Sequence, residues 1–278
     1  MIEVVEPGPL ASIQDLGRPG WAALGVPRSG AFDRGAARLA NRLVGNDVAA
    51  ALIEVTLGGL AVRAVDAVTV ALTGALCPGP DWGSAVTMRP GAVLRLGVPV
   101  HGLRSYLAVR GGVSVAEELG SRSADLLSGI GPARLRRGQL LEVGPAPRAA
   151  PSGVAAAPSE FVPALAAHPG PRVDWFGPDA LQRLGAQQWL VRAQSDRVGV
   201  RLDGAALPRA RTGELPSEPT LPGAVQVPAD GRPIIFGPDA PVTGGYPVIA
   251  VLTAAALDAA AQVRPGDIVR FRVLPPLL

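Results

Sequence analysis

The sequence predicts a mostly β (α+β) protein made of β-barrels, and three observations carry that expectation. Short apolar runs recur between Gly/Pro-rich turns, helical periodicity is confined to three stretches, and one strand-forming turn is repeated. The runs lie at 68–72, 93–96, 106–109, 140–143, 234–236, 248–252 and 268–273. The repeat reads Arg89-Pro-Gly-Ala-Val-Leu-Arg-Leu, Arg136-Arg-Gly-Gln-Leu-Leu-Glu-Val and Arg264-Pro-Gly-Asp-Ile-Val-Arg-Phe. Each copy sets a turn glycine just before a strand-like apolar pair.

The helices follow from spacing. Over 33–44, Ala36, Leu39, Ala40, Leu43 and Val44 fall at i, i+3, i+4, i+7 and i+8, and Gly45-Asn46 supplies a left-handed stop. A second helix is expected from Ser114, whose spacing to Glu117 matches a capping box. A third follows Thr253 through the alanine-rich 254–262. An Ala/Pro/Ser-rich stretch without a period reads as a linker, so the expected organisation is a domain over 1–145, a linker over 146–171 and a second domain over 172–278.

Composition removes several classes of function. A chain of 278 residues can bury two ordinary cores. At a net charge of +3, with no basic run, nucleic-acid binding has no support. All the basic side chains are arginines, so this chain offers no Schiff base, phosphate-loop lysine or biotinyl-lysine. Cys77 has no internal disulfide partner, and with only His101 and His168 beside it no metal site is expected. The first residues lack a signal-peptide pattern, and the uncharged stretch 240–257 is broken by Gly244-Gly245 and two prolines, which argues against a membrane span. A cytoplasmic protein is expected.

Candidate site residues concentrate at 14–33, where Asp15, Asp33, Arg18, Arg28 and four glycines fall within twenty residues, together with Gln14 and Ser29. Guanidinium forks suit carboxylate, carbamate or phosphate, and glycines let backbone approach a ligand closely. The alternative is a pair of surface turns held by Arg–Asp bridges. Further segments join glycine to polar groups: 54–59, 119–125 with Ser121, Arg122 and Asp125, 195–199 with Asp196 and Arg197, and 239–246 with Thr243, Gly244, Gly245 and Tyr246. Ser121 and Arg122 suggest a small anion nest, and 244–246 a backbone approach to substrate. Neither histidine has a triad context, so proton transfer falls to Asp15, Asp33 or Tyr246, with arginines stabilising charge.

Taken in order, nine blocks resemble the family of allophanate hydrolase subunit 2, also known as KipA, the biotin-dependent carboxyltransferase family or the C subunit of bacterial 5-oxoprolinase. They are QDLGRPG at 14–20, GVPRSGAFD at 25–33, ANRLVGN at 40–46, EVTLGG at 54–59, YLAVRGG at 106–112, LGSRSAD at 119–125, SDRVGVRL at 195–202, PGAVQVPADGRPI at 222–234 and TGGYPVIA at 243–250. The resemblance implies two cyclophilin-like β-barrel domains with a few packed helices. It also implies partners: a KipI-like subunit 1 (the 5-oxoprolinase B subunit) and a LamB/YcsF-type protein (the A subunit), with ATP-dependent opening of 5-oxoproline to glutamate. No cofactor is expected on this chain alone; ATP would be used by the complex. Two alternatives remain open: a carboxyltransferase half of a urea or allophanate pathway, with carboxybiotin delivered by a partner chain, and a non-enzymatic antagonist of a KipI-like kinase inhibitor. The family often carries a Gln-Thr pair where Pro241 and Val242 stand here, and a basic residue at Val248.

Overall fold

In a computed structural model, described over residues 1–151, 153–156, 164–211, 213 and 215–276, the chain divides into two compact units. The first comprises Met1–Arg18 and Ser29–Phe161, the second Pro19–Arg28 and Val162–Leu278. Both are mostly β.

The first unit holds β1 (Ile2–Pro7), β2 (Leu10–Gln14), α1 (Arg34–Leu43), β3 (Leu52–Thr56), β4 (Leu60–Ala64), β5 (Val68–Leu76), β6 (Ala85–Met88), β7 (Val93–Arg95), β8 (His101–Val109), β9 (Val113–Ser114) and β10 (Leu140–Val143). Two antiparallel five-stranded sheets result, in the orders β7-β4-β1-β10-β9 and β2-β3-β8-β5-β6. Strand alternation gives the second sheet two different faces. Ile53 and Val55 join Ile2, Val4, Val62 and Leu107 in a core supplied by both sheets. Leu52, Ala71, Tyr106 and Ala108 turn the other way and meet Ala37, Ala40 and Leu43 of α1. The helix expected over 33–44 is therefore present, started by Asp33, whose side chain accepts the Ala36 N–H at 2.8 Å.

The helix expected at Ser114 does not form. Ser114 pairs with Glu142 in the β9–β10 ladder, and Glu117 is committed to an ion pair with Arg122 at 2.8 Å. Ladder pairing outweighed a four-residue capping signal.

The second unit holds β11 (Ala164–Pro169), α2 (Ala180–Ala186), β12 (Trp189–Val191), β13 (Gly199–Asp203), β14 (Glu218–Pro219), β15 (Ala224–Gln226), β16 (Ile234–Phe236), β17 (Thr243–Gly244), β18 (Val248–Leu252), α3 (Ala254–Ala260) and β19 (Ile268–Val273). Seven strands close a barrel in the order β11-β18-β15-β16-β13-β12-β19, with β11 and β19 parallel at the seam. Residues 164–169, inside the stretch whose composition reads as a linker, are thus a barrel strand; 152 and 157–163 lie outside the described residues. α3 starts at Thr253, whose hydroxyl accepts the Ala256 N–H, as its spacing predicts. α2 gave no sequence signal of comparable strength.

The sequence repeat is one structural device used three times. The glycine N–H donates to a neighbouring strand and the next residue's carbonyl accepts in return: Gly91 with Ala64, Gly138 with Val4, Gly266 with Val191, at 2.7 to 2.9 Å. Each glycine has positive φ, 82°, 79° and 93°, which the turn requires. The device seats β7 beside β4, β10 beside β1 and β19 beside β12.

Candidate functional site

Asp15 is the hub of the 14–33 segment. One oxygen accepts from Ser121 Oγ at 2.7 Å, Ser123 Oγ at 2.5 Å and the Gly17 N–H at 2.7 Å, while the other accepts the Arg122 N–H at 2.6 Å. The carboxylate ties the end of β2 to the 119–125 turn, and the expected nest at Ser121 and Arg122 closes on this side chain. Arg122 turns its guanidinium away to Val115 O and Glu117.

Arg18 is 1 % exposed and donates to the carbonyls of Ser123 and Glu118. Gln14 donates to Ser12 Oγ and Ala124 O, and the Ser29 hydroxyl donates to that same carbonyl at 3.0 Å. Asp125 accepts the Leu127 and Ser128 N–H groups through one oxygen. Gln14, Arg18 and Ser29 thus converge on the carbonyls of Ser123 and Ala124, next to Asp125. Three buried polar atoms there have no hydrogen-bond partner among the described residues: Gln14 Oε1, Arg18 Nη1 and Asp125 Oδ2. Desolvated groups left in this way cost stability unless something completes them.

Backbone strain marks the same place. Ser29 holds φ 55° and Leu119 φ 54°, left-handed values that residues with a Cβ rarely adopt. Gly30 is obligatory, because a Cβ there would sit 2.7 Å from Gly17 N and 2.8 Å from Leu16 C.

Asp33 lies apart from that hub, in a second buried polar group. The Tyr106 hydroxyl accepts the Asp33 N–H at 2.7 Å, Glu54 accepts the Phe32 N–H at 2.9 Å, and the Arg104 guanidinium sits 4.5 Å over the Phe32 ring. Arg104 Nε is 3.8 Å from Glu54, both almost wholly buried. Burial first, then the charges of Glu54 and Asp33, push the Tyr106 phenol well above its ordinary range. Sequence reading missed Arg104 and Tyr106. The signal available was the consecutive polar run Arg104-Ser105-Tyr106 leading into the apolar 107–109.

Arg28 is exposed and falls in the stretch that belongs to the second unit. In that unit Arg197 and Asp239 form a bidentate ion pair at 2.8 and 2.9 Å, 2 % and 0 % exposed. Asp196 caps its own turn through the Val198 and Gly199 N–H groups. Thr243 and Gly244 form β17, paired with β14. Gln226 donates to Tyr246 O at 2.9 Å, and a Cβ on Gly244 would meet the Gln226 amide at 2.5 Å, so a larger residue there would displace that side chain. Gly245 lies between them, and Tyr246 exposes its ring beneath Arg209, 5.5 Å from the guanidinium. No cluster of His, Cys, Asp and Glu suited to a metal occurs among the described residues.

Residues 24–273 match the carboxyltransferase domain, subdomain A and B. The chain belongs to this carboxyltransferase family. Among its relatives is the 5-oxoprolinase C subunit of Escherichia coli (strain K12), 38 % identical over 98 % of this chain and 90 % of that one. The urea amidolyase of Saccharomyces cerevisiae is 33 % identical over 97 % of this chain, which spans only 16 % of that protein. The crystal structure of the K. lactis urea amidolyase superposes with a TM-score of 0.92 at 29 % identity, over 98 % of this chain and 18 % of that one. Carboxyltransferase relatives thus occur both as a domain inside a large chain and as a free-standing subunit. No helix among the described residues is long and apolar enough to cross a membrane.

Proposed function

We propose that this chain is the C subunit of an ATP-dependent 5-oxoprolinase complex, converting 5-oxoproline to glutamate together with a KipI-like B subunit and a LamB/YcsF-type A subunit. The observation that carries the reading is the near end-to-end match to a free-standing protein of that name, 98 % of this chain and 90 % of the relative. The chemistry of the first unit supports it. Gln14 Oε1 and Asp125 Oδ2 are acceptors and Arg18 Nη1 is a donor, a set that complements an amide, whose N–H and C=O need both.

In this reading Arg18 holds the amide carbonyl and Gln14 and Asp125 take its N–H. Asp15, with both oxygens occupied by the 119–125 turn, positions those groups, as Ser29, Ser121 and Arg122 do. Asp33 fixes the start of α1. Tyr246, with Thr243, Gly244, Gly245 and Asp196, forms a second contact region for substrate or partner in the other unit, and Arg197, buried in its pair with Asp239, anchors the 239–246 segment. ATP is handled by the partner proteins.

A second reading, a carboxyltransferase acting on urea with carboxybiotin from a partner chain, draws on the TM-score of 0.92 to the urea amidolyase. Urea is also an amide, so the same three atoms serve it. Co-expression with the proteins encoded beside it, followed by ATP-dependent assays on 5-oxoproline and on urea, separates the two. Turnover of 5-oxoproline is expected, and turnover of urea alone would replace the first reading by the second.

A further inference from the structure

The Arg–x–Gly turn at 89–91 joins β6 to β7, yet the two strands part and enter different sheets. Between them the first unit opens into a cleft of about 650 Å³. Its floor is the core itself: Val70, Leu72 and Met88 are buried core residues, and Leu94 packs against them. Val86 pairs with Val70 and so faces the same way. It is nevertheless 36 % exposed, because nothing among the described residues covers it.

Both ends of the cleft are walled. At one end the Gly97 N–H donates to Pro78 O at 2.8 Å, and the Gly79 backbone lies so close to β7 that a Cβ there would sit 2.3 Å from Arg95 O. The chain then carries Pro80 and Asp81 along the cleft and returns to β5, where the Gly83 N–H donates to Leu72 O at 2.8 Å. At the other end the 89–92 turn is held by the Gly91 N–H on Ala64 O. The result is a bounded recess with apolar depth.

Its rim is charged. Arg89 and Arg95 are both exposed, and neither guanidinium has an ion pair or a side-chain hydrogen bond to any described residue. Asp81 supplies the single carboxylate of the lining, which leaves one positive charge in excess. An apolar recess under such a rim complements a molecule that has both characters.

We propose that this cleft binds a small amphiphilic carboxylate, an unbranched apolar chain ending in one carboxylate group. The chain lies among Val70, Val86, Met88 and Leu94, and the carboxylate meets Arg89 and Arg95. A singly charged head matches the one excess charge, whereas a doubly charged phosphate would also face Asp81. The inference is independent of which reaction the complex performs.

The test uses the full chain and three probes, octanoate, octyltrimethylammonium and acetate, followed by calorimetry. Octanoate is expected to bind, and the cation of the same chain length and the chainless anion are not. Met1 and Met88 are the methionines of this chain, so methyl-labelled methionine gives two signals in a nuclear magnetic resonance spectrum, and octanoate should shift that of Met88. The double variant R89E/R95E reverses the rim charge and is expected to weaken binding at least about tenfold. Val86→Gln places a polar group on the wall and should weaken it at least about threefold. Both variants alter exposed side chains, so unchanged melting temperatures separate loss of binding from misfolding. Absence of octanoate binding, equal binding of the cation or of acetate, a Met88 signal that does not move, or binding unaffected by either variant overturns the proposal.

Discussion

Tyr106 shows how one buried side chain records its surroundings. Its hydroxyl receives the Asp33 N–H in a site closed to water, and burial, reinforced by Glu54 and Asp33, favours the neutral phenol. The folded-state pKa lies above the unfolded one, so this contribution is complete below about pH 10. As pH rises through that value the unfolded chain loses its proton first and stability falls until the folded phenol also ionises. Urea midpoints measured from about pH 9 to about pH 11 should therefore drop less steeply in Tyr106→Phe than in the parent. Equal slopes would show that Tyr106 does not govern the alkaline limb.

Two glycines give a contrast at the same scale. Gly266 has φ 93° but open space where a Cβ would point, so Gly266→Ala should cost about 1 kcal/mol from backbone strain alone. Gly30 has φ 92° and backbone within 3 Å of that position, so Gly30→Ala adds a clash that no rotamer relieves. Its loss should be on the order of 3 kcal/mol or more, and chemical denaturation of the two variants compares them directly. Similar losses in both would mean that the Gly17 backbone yields easily.

At the scale of elements, α1 depends on both its cap and its face. Asp33→Ala leaves the Ala36 N–H without its acceptor and should cost about 1 kcal/mol. Asp33→Asn keeps the cap and should recover most of that loss, whereas failure to recover would locate the role of Asp33 in its charge. The Arg197–Asp239 pair behaves differently because neither partner meets water. Asp239→Asn leaves a buried guanidinium with its charge uncompensated, and a loss of roughly 3–5 kcal/mol is expected in a thermal or urea melt. A loss below about 1 kcal/mol would indicate that water reaches Arg197.

For the whole molecule, the absence of lysine and of a phosphate-binding loop predicts that the purified chain alone does not turn over 5-oxoproline with ATP. Activity should appear on adding the partner proteins. Arg18→Gln in the reconstituted complex should raise KM for 5-oxoproline, because one donor to the carbonyl is withdrawn from a site otherwise closed to water. Robust turnover by the isolated chain would refute the shared-site reading, whereas an unchanged KM would remove Arg18 from substrate contact.

Much of this was legible from residue order. Turn glycines, strand-length apolar runs and the 3.6-residue spacing over 33–44 are local signals, and the mostly β class, α1 and α3 follow from them without knowledge of what packs where. The repeated Arg–x–Gly turn and the ordered blocks that mark the carboxyltransferase family are equally local. Long-range pairing decided the rest. Ser114 entered a ladder with Glu142 instead of starting a helix, and 164–169 became a barrel strand because two distant strands offered their edges. The three unpartnered atoms of Gln14, Arg18 and Asp125 bring together the two ends of a long stretch of the first unit. A hydrogen bond that is missing after burial depends on every neighbour at once, and residue order alone carries no record of those neighbours.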